Sequence, residues 1–327
     1  MPGSHVRTPF PLIRQQPWYP GQAGGVPGTD TDTGLRTHPT GKVLYVDPNY
    51  PGASDNRDGT DPTDPLLTVA AALALCRDYH GDVIQIGSND AWKYGGGAAD
   101  YGTVISEAVT VTVQGVTIRG LAPSGSMGVV WQPPTPGAVC ITVLAMDCLI
   151  EGVTFQGSLG GDGIYAEWDG ITLWGENLTV RHCSFDSDIG IAIQLEYAWN
   201  CEIYDCLFVG CDEYGVYVDP AGSGADYLRI HDNIFHECTK AMGLRGVEES
   251  WIWGNQLYKA SAVAAAASVD VFIDTTGGAH NLVSHNVLSC LLPVPANGDY
   301  DDTCTAAATD AWVSNYCMDG PTVTNPT

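Results

Sequence analysis

Five segments of this chain alternate with a period of two and close on polar residues. They are Asp162-Gly-Ile-Tyr-Ala-Glu167, Ile189-Gly-Ile-Ala-Ile-Gln194, Tyr214-Gly-Val-Tyr-Val-Asp219, Ala241-Met-Gly-Leu-Arg245 and Asp270-Val-Phe-Ile-Asp274. If they stack as strands, Glu167, Gln194, Asp219, Arg245 and Asp274 form one outward row with rungs about 4.8 Å apart. Two carboxylates about 5 Å apart, or about 6.5–9.5 Å apart, are what retaining or inverting glycoside hydrolysis needs. Glu167 and Asp219, two rungs apart, approach the longer spacing, with Arg245 beside them as a third catalytic candidate. Tyr165, Tyr217 and Trp168 sit close enough to stack on sugar rings or on another subunit. The plainer reading, a solvated face with carboxylates dispersed for solubility, is preferred, and no catalytic role is assigned with conviction.

A second group is His182, Asp205 and Asp232, preceded by Arg181, Tyr204 and His231. A histidine between carboxylates can act as a general base. These positions also suit a chain reversal, where Asp and His are ordinary turn residues. The loop Asp55-Asn-Arg-Asp-Gly-Thr-Asp61 is oxygen-rich, and Asp55, Asp58 and Asp61 are the one place where the sequence suggests Ca2+. It lacks the twelfth-position Glu of an EF-hand, so no metal is assigned.

The elements that position these residues repeat. Ile150-Glu-Gly-Val-Thr-Phe155, Val180-Arg-His-Cys-Ser-Phe185, Ile203-Tyr-Asp-Cys-Leu-Phe208, Ile230-His-Asp-Asn-Ile-Phe235, Ile252-Trp-Gly-Asn-Gln-Leu257 and Val283-Ser-His-Asn-Val-Leu288 share one pattern: aliphatic, then Val, Cys or Asn three later, then Phe or Leu five later. A constant six-residue unit with variable spacers predicts a solenoid whose strands stack while its loops vary. Cys183, Cys206, Asn233, Asn255 and Asn286 then occupy one structural ladder, in which Asn can bond the coil backbone and its stacked neighbour. In the other ladder Ile164, Ile191, Val216, Met242 and Val271 are expected to point inward, and Tyr165, Ala192, Tyr217, Gly243 and Phe272 outward.

This repeat resembles the right-handed parallel β-helix, or pectate-lyase-like, superfamily. Leu44-Tyr-Val-Asp-Pro48, Asp58-Gly-Thr-Asp-Pro62, Pro65-Leu-Leu-Thr-Val-Ala-Ala-Ala-Leu73 and Gly81-Asp-Val-Ile-Gln-Ile86 look like that family's entry module, in which a short helix caps the open end. The resemblance implies an all-β, single-stranded right-handed parallel β-helix. It divides the chain into an extended N-terminal arm at 1–41, a capping module at 42–109 with a helix near 65–79, coils at 110–292, and an irregular C-terminal cap at 293–327 that includes Cys304 and Cys317. The scaffold hosts lyases, hydrolases, epimerases, adhesins and phage tailspikes, so it does not decide function. The calcium aspartates of pectate lyases and the Asn-Thr-Asp, Gly-His-Gly and Arg-Ile-Lys segments of polygalacturonases have no counterpart here.

Composition narrows the partners. The 327 residues carry 13 Lys and Arg against 38 Asp and Glu, a formal charge of −25. Such a body repels nucleic-acid phosphate, anionic lipid and anionic sugar alike. No apolar run approaches about 18 residues, and Met-Pro-Gly-Ser-His lacks the apolar stretch of a signal peptide. The eleven cysteines form no Cys-x-x-Cys pair, and most are expected as buried free thiols in a protein made in a reducing cytoplasm. The arm is different: Arg7, Arg14 and Arg36 face only Asp30 and Asp32, and Phe10, Leu12, Ile13, Trp18 and Tyr19 are too apolar for a spacer. Together with the resemblance to bacteriophage virion β-helices, this predicts a virion-surface structural protein, a capsid decoration or tailspike-like body. It is expected as a homotrimer, tethered through its arm to other virion proteins, with a cell-surface polysaccharide as a further partner. The alternatives are a polysaccharide hydrolase or lyase, and a glycan-binding adhesin.

Overall fold

The computed structural model describes residues 28–29, 36–37, 41–87, 103–120, 128–157, 161–171, 174–186, 188–218, 225–259, 273–290, 304–305 and 309–317. The arm residues Phe10, Leu12, Ile13, Trp18 and Tyr19 lie outside them. Within the arm, Gly28–Thr29 pairs antiparallel with Arg36–Thr37.

The body is a coil with three parallel sheets. Each turn contributes a strand to a first sheet of ten strands, then to a second of nine, then to a third of eight. The six-residue units lie directly on one another: Ile150 pairs with Val180, then Ile203, Ile230, Ile252 and Val283 follow in register on the first sheet. Five residues on, Phe155, Phe185, Phe208 and Phe235 are in register on the second. Their rings stack at centroid distances of 5.0, 4.9 and 4.4 Å and are fully buried. Parallel register places like on like, so each ring covers the next.

The unit is short because of its corner. Gly152, His182, Asp205, Asp232, Gly254, His285 and Ser314 all have φ between 51° and 68°. One left-handed residue turns the chain from the first sheet to the second, which Gly, Asp and similar small polar residues tolerate best. This accounts for His182, Asp205 and Asp232 as corner residues.

The corner's next residue forms a buried ladder. Asn255 Nδ2 donates to the Ile230 carbonyl at 2.9 Å and to Asn286 Oδ1 at 2.9 Å, while its Oδ1 accepts from Asn233 N at 3.1 Å and Nδ2 at 3.0 Å. Asn233 and Asn286 repeat the pattern, and Asn315 extends it. Cys206 and Cys183 fill the same slot and donate weakly to Val180 and Ile150 carbonyls. A second ladder was not foreseen: Leu228 N donates to Ser250 Oγ, Ser250 N to Asn281 Oδ1, and Asn281 N to Asp310 Oδ1, at the entry to the first sheet.

Three expectations are corrected. The helix spans Val69–Leu75, capped by Thr68 accepting from Ala71 N, not 65–79. Leu66 is spent bridging Val46 on the first sheet, and Asp55 holds the Leu67 and Thr68 amides, so the helix starts later; at the other end Cys76 is already extended. The tail is not wholly irregular. Cys304–Thr305, Ala311–Val313 and Tyr316–Cys317 add one strand to each sheet. Trp312-Val-Ser-Asn-Tyr-Cys317 carries the repeat with an aromatic in the aliphatic slot. Lastly, Ile193 and Ile273, not Ile191 and Val271, align with Ile164, Val216 and Met242. A slip of two residues keeps the same face inward, so alternation alone cannot detect it.

Candidate functional site

The third sheet's outer face holds most of the sequence-selected residues, in a changed register. Tyr165, Gln194, Tyr217, Gly243 and Asp274 form one row. Glu167 is therefore level with Glu196, two residues past Gln194. Asp219 and Phe272 lie outside the described residues. Gln194 and Asp274 leave the expected carboxylate row for the tyrosine row, while Glu167 and Arg245 keep their level two residues past Tyr165 and Gly243 and Glu196 joins them. The described groups are partnered: Tyr165 donates to Glu196, and Arg245 Nε donates to Asp274 Oδ2 at 2.6 Å. Burial, then the hydrogen bond to Glu196, pushes the Tyr165 phenol far up, so it stays protonated.

The row's centre is a shelf. Tyr214 and Tyr217 pack ring to ring at 4.5 Å. Lys240 Nζ donates to the Tyr214 hydroxyl at 3.0 Å and lies 4.6 Å from its ring centroid. Both tyrosines lean over Gly243, where a Cβ would stand 2.5 Å from Tyr214 Cε1 and 3.2 Å from Tyr217 Cδ2. The glycine is thus required by the rings. The shelf offers aromatic surface bordered by an ammonium, a half-exposed guanidinium and a phenol–carboxylate pair. Glu196 was missed because the assumed register placed Gln194 beside Glu167, and Tyr214 and Lys240 because they precede the alternating core of their strands.

Beyond the third sheet's edge, Trp168 stacks on Trp174 at 4.9 Å and meets the edge of Tyr197 at 5.4 Å; Trp199 lies 5.8 Å from Trp174 and is exposed. Trp168 lies within this cluster, its Nε1 buried with no acceptor among the described residues. Trp199 is the ring that faces solvent.

The first sheet's outer face carries a continuous strip. Glu151 bonds Arg119 at 3.2 Å and Arg181 at 2.6 Å, and Arg181 Nη1 donates to Tyr204 Oη at 2.9 Å. Tyr204 stacks on His231 at 5.1 Å, and His231 on Trp253 at 4.0 Å. The imidazole is held at both nitrogens, by Asp232 at 2.8 Å and Glu202 at 3.5 Å. Burial favours the neutral ring, but the bonds to Glu202 and Asp232 outweigh it and the His231 pKa rises above 6.5. With a folded value above the unfolded one, its stabilisation is full below about pH 6 and is lost as pH rises through the folded value. We expect His231→Gln to lower the urea midpoint more at about pH 5.5 than at about pH 8.5; an equal loss at both contradicts the assignment.

Asp55 accepts from the Leu67 and Thr68 amides at the start of the helix, while Asp58 accepts from Thr60 and Asp61 from Thr63, each within its own turn. Among the described residues no group of three or more His, Cys, Asp or Glu could hold a metal ion. Four buried thiols are poor nucleophiles. Burial pushes Cys140, Cys148 and Cys201 up to about 12 and Cys206 well above the ordinary range. In native protein at about pH 8, iodoacetamide should leave these four unmodified until denaturant is added; rapid native labelling of any would contradict their burial.

The chain's coils have counterparts among solved structures. The pectin methylesterase from Aspergillus niger is 13% identical, with a TM-score of 0.49, over 88% of this chain and 91% of that one. A rhamnogalacturonan lyase is 14% identical, with a TM-score of 0.44, over 82% and 73%. The Dettilon tailspike protein is 10% identical, with a TM-score of 0.34, over 85% and 68%. None of these likenesses bears on what this chain binds. No curated protein matches it. Residues 101–288 match the family model described as "Right handed beta helix region", and with three parallel sheets stacked in register the chain belongs to that right-handed β-helix family.

Proposed function

We infer that this protein is a glycan-binding, non-hydrolytic β-helix displayed on the outside of a bacteriophage virion, with the third sheet facing a neutral cell-surface polysaccharide and residues 1–41 tethering the body to the particle. The Tyr214–Tyr217 shelf over Gly243 carries the reading. Aromatic rings kept clear by a glycine offer flat apolar area to the C–H face of a sugar, and Lys240 and Tyr165 offer polar contacts at its rim. The carboxylates beside it support binding over hydrolysis, since Glu196 and Asp274 are engaged with Tyr165 and Arg245 rather than facing each other across a gap. A net charge of −25 favours neutral over uronate glycans. The arm's arginines and apolar residues, on an otherwise acidic chain, support the tether.

The test is a panel of neutral bacterial polysaccharides, read for retention and for released reducing ends or unsaturated products, with immunogold labelling of particles from producing cells. Saturable retention without product, and gold on the outside of virions, is expected. Product release would make the chain a hydrolase or lyase, and gold confined to the cell envelope would make it an adhesin.

A further inference from the structure

The outer faces of the first and second sheets meet at the left-handed corner and form a wedge that carries little of the chain's surplus charge. Among the described outward residues from Thr117 to Tyr316, the first sheet carries Glu151 and Glu202 against Arg119, Arg181 and Arg229, and the second carries Asp186. The shared corner adds Asp205 and Asp232, the latter on His231. The wedge is therefore close to neutral on a chain with 38 acidic and 13 basic residues, and nearly all the surplus charge lies elsewhere.

The C-terminal end of the wedge is also apolar. Trp251, Leu282 and Val313 on the first sheet and Ile234 and Tyr316 on the second are exposed, from 38% at Leu282 to 59% at Tyr316. Trp251 and Leu282 are register neighbours, and Tyr316 follows Val287 on the same row as Ile234. Their remaining outward neighbours here, Trp253, Ser284, Gln256 and Ala311, are uncharged. Exposed apolar side chains gathered on a patch without charge mark an interaction surface.

We propose that this wedge is where a second copy of the chain docks, building a closed homo-oligomer with the third sheets turned outward. Two bodies of this charge repel across their acidic faces, and the wedge combines little net charge with exposed apolar side chains that a contact can bury. Its size fits. Eight first-sheet strands at about 4.8 Å spacing are about 34 Å long, and two three-residue strands with their corner are about 24 Å wide, close to the roughly 800 Å² per partner of a stable interface. Identical chains sharing one patch close by point symmetry, so the assembly is finite. The proposal is independent of what the third sheet binds.

The test is sedimentation velocity of the full chain from about 1 to about 100 µM, for wild type and for Leu282→Glu with Val313→Glu. Wild type should sediment as a multiple of the 34.6 kDa chain. The double variant should require at least about tenfold higher concentration to associate, while Ile171→Glu, on an exposed residue away from the wedge, should not. If the double variant lacks the wild-type circular dichroism, Tyr316→Glu in the last strand takes its place. A wild-type monomer throughout, or association unchanged in the folded variant, overturns the proposal, whether or not a polysaccharide is bound.

Discussion

Asn255→Ala should cost about 3–6 kcal/mol of stability, more than any exposed substitution in the coils. The side chain satisfies four partners at once. Removing it takes one donor from the Ile230 carbonyl and leaves both the backbone N–H and one side-chain N–H of Asn233 without the acceptor they share, all in a fully buried stack. Each stranded buried group costs about 1–3 kcal/mol. Asn255→Cys copies the residue in the same slot at Cys206, keeps a weak donor toward the carbonyl, and should cost less than alanine. Urea unfolding with an unchanged slope would measure both. Equal losses for Ala and Cys would mean that the slot tolerates any small residue and the ladder contributes little.

Phe208→Ala should cost a similar amount, about 3–5 kcal/mol. Phe208 is fully buried between Phe185 at 4.9 Å and Phe235 at 4.4 Å, so its loss opens a void that neither backbone can close, because both strands are fixed by register pairing above and below. Phe208→Leu, which reproduces what stands at Leu257 and Leu288 in the same column, should cost less than half as much. Thermal unfolding of the three proteins distinguishes a stacked column from an adaptable core, in which alanine and leucine would differ little.

The parts legible in the sequence were those set by local chain length. The distance from Ile203 to Phe208 is the same in every unit because one left-handed residue makes the corner, so residues separated by whole coils could be aligned by eye. The third sheet was different. Loops of varying length lead into it, and Ile191 and Ile193 both satisfy the inward parity, so its register is decided by pairing with Ile164 and Val216 rather than by pattern. That two-residue slip moved Gln194 into the row of Tyr217 and put Glu196, instead of Gln194, level with Glu167. The second polar ladder escaped notice because Cys201, Leu228, Ser250 and Asn281 share a position but no side-chain chemistry. The last coil was hidden by Trp312 in an aliphatic slot.

The account of the third sheet as a sugar-binding shelf depends on the tyrosine rings that lie over Gly243. The most direct measurement is calorimetric titration of one retained neutral polysaccharide into wild type, Tyr217→Ala and Gly243→Ala, with urea midpoints recorded for each. The shelf predicts that Tyr217→Ala weakens binding by about tenfold or more with little loss of stability, and that Gly243→Ala, whose Cβ displaces both rings, weakens it comparably. Undiminished affinity in folded Tyr217→Ala and Gly243→Ala would contradict it.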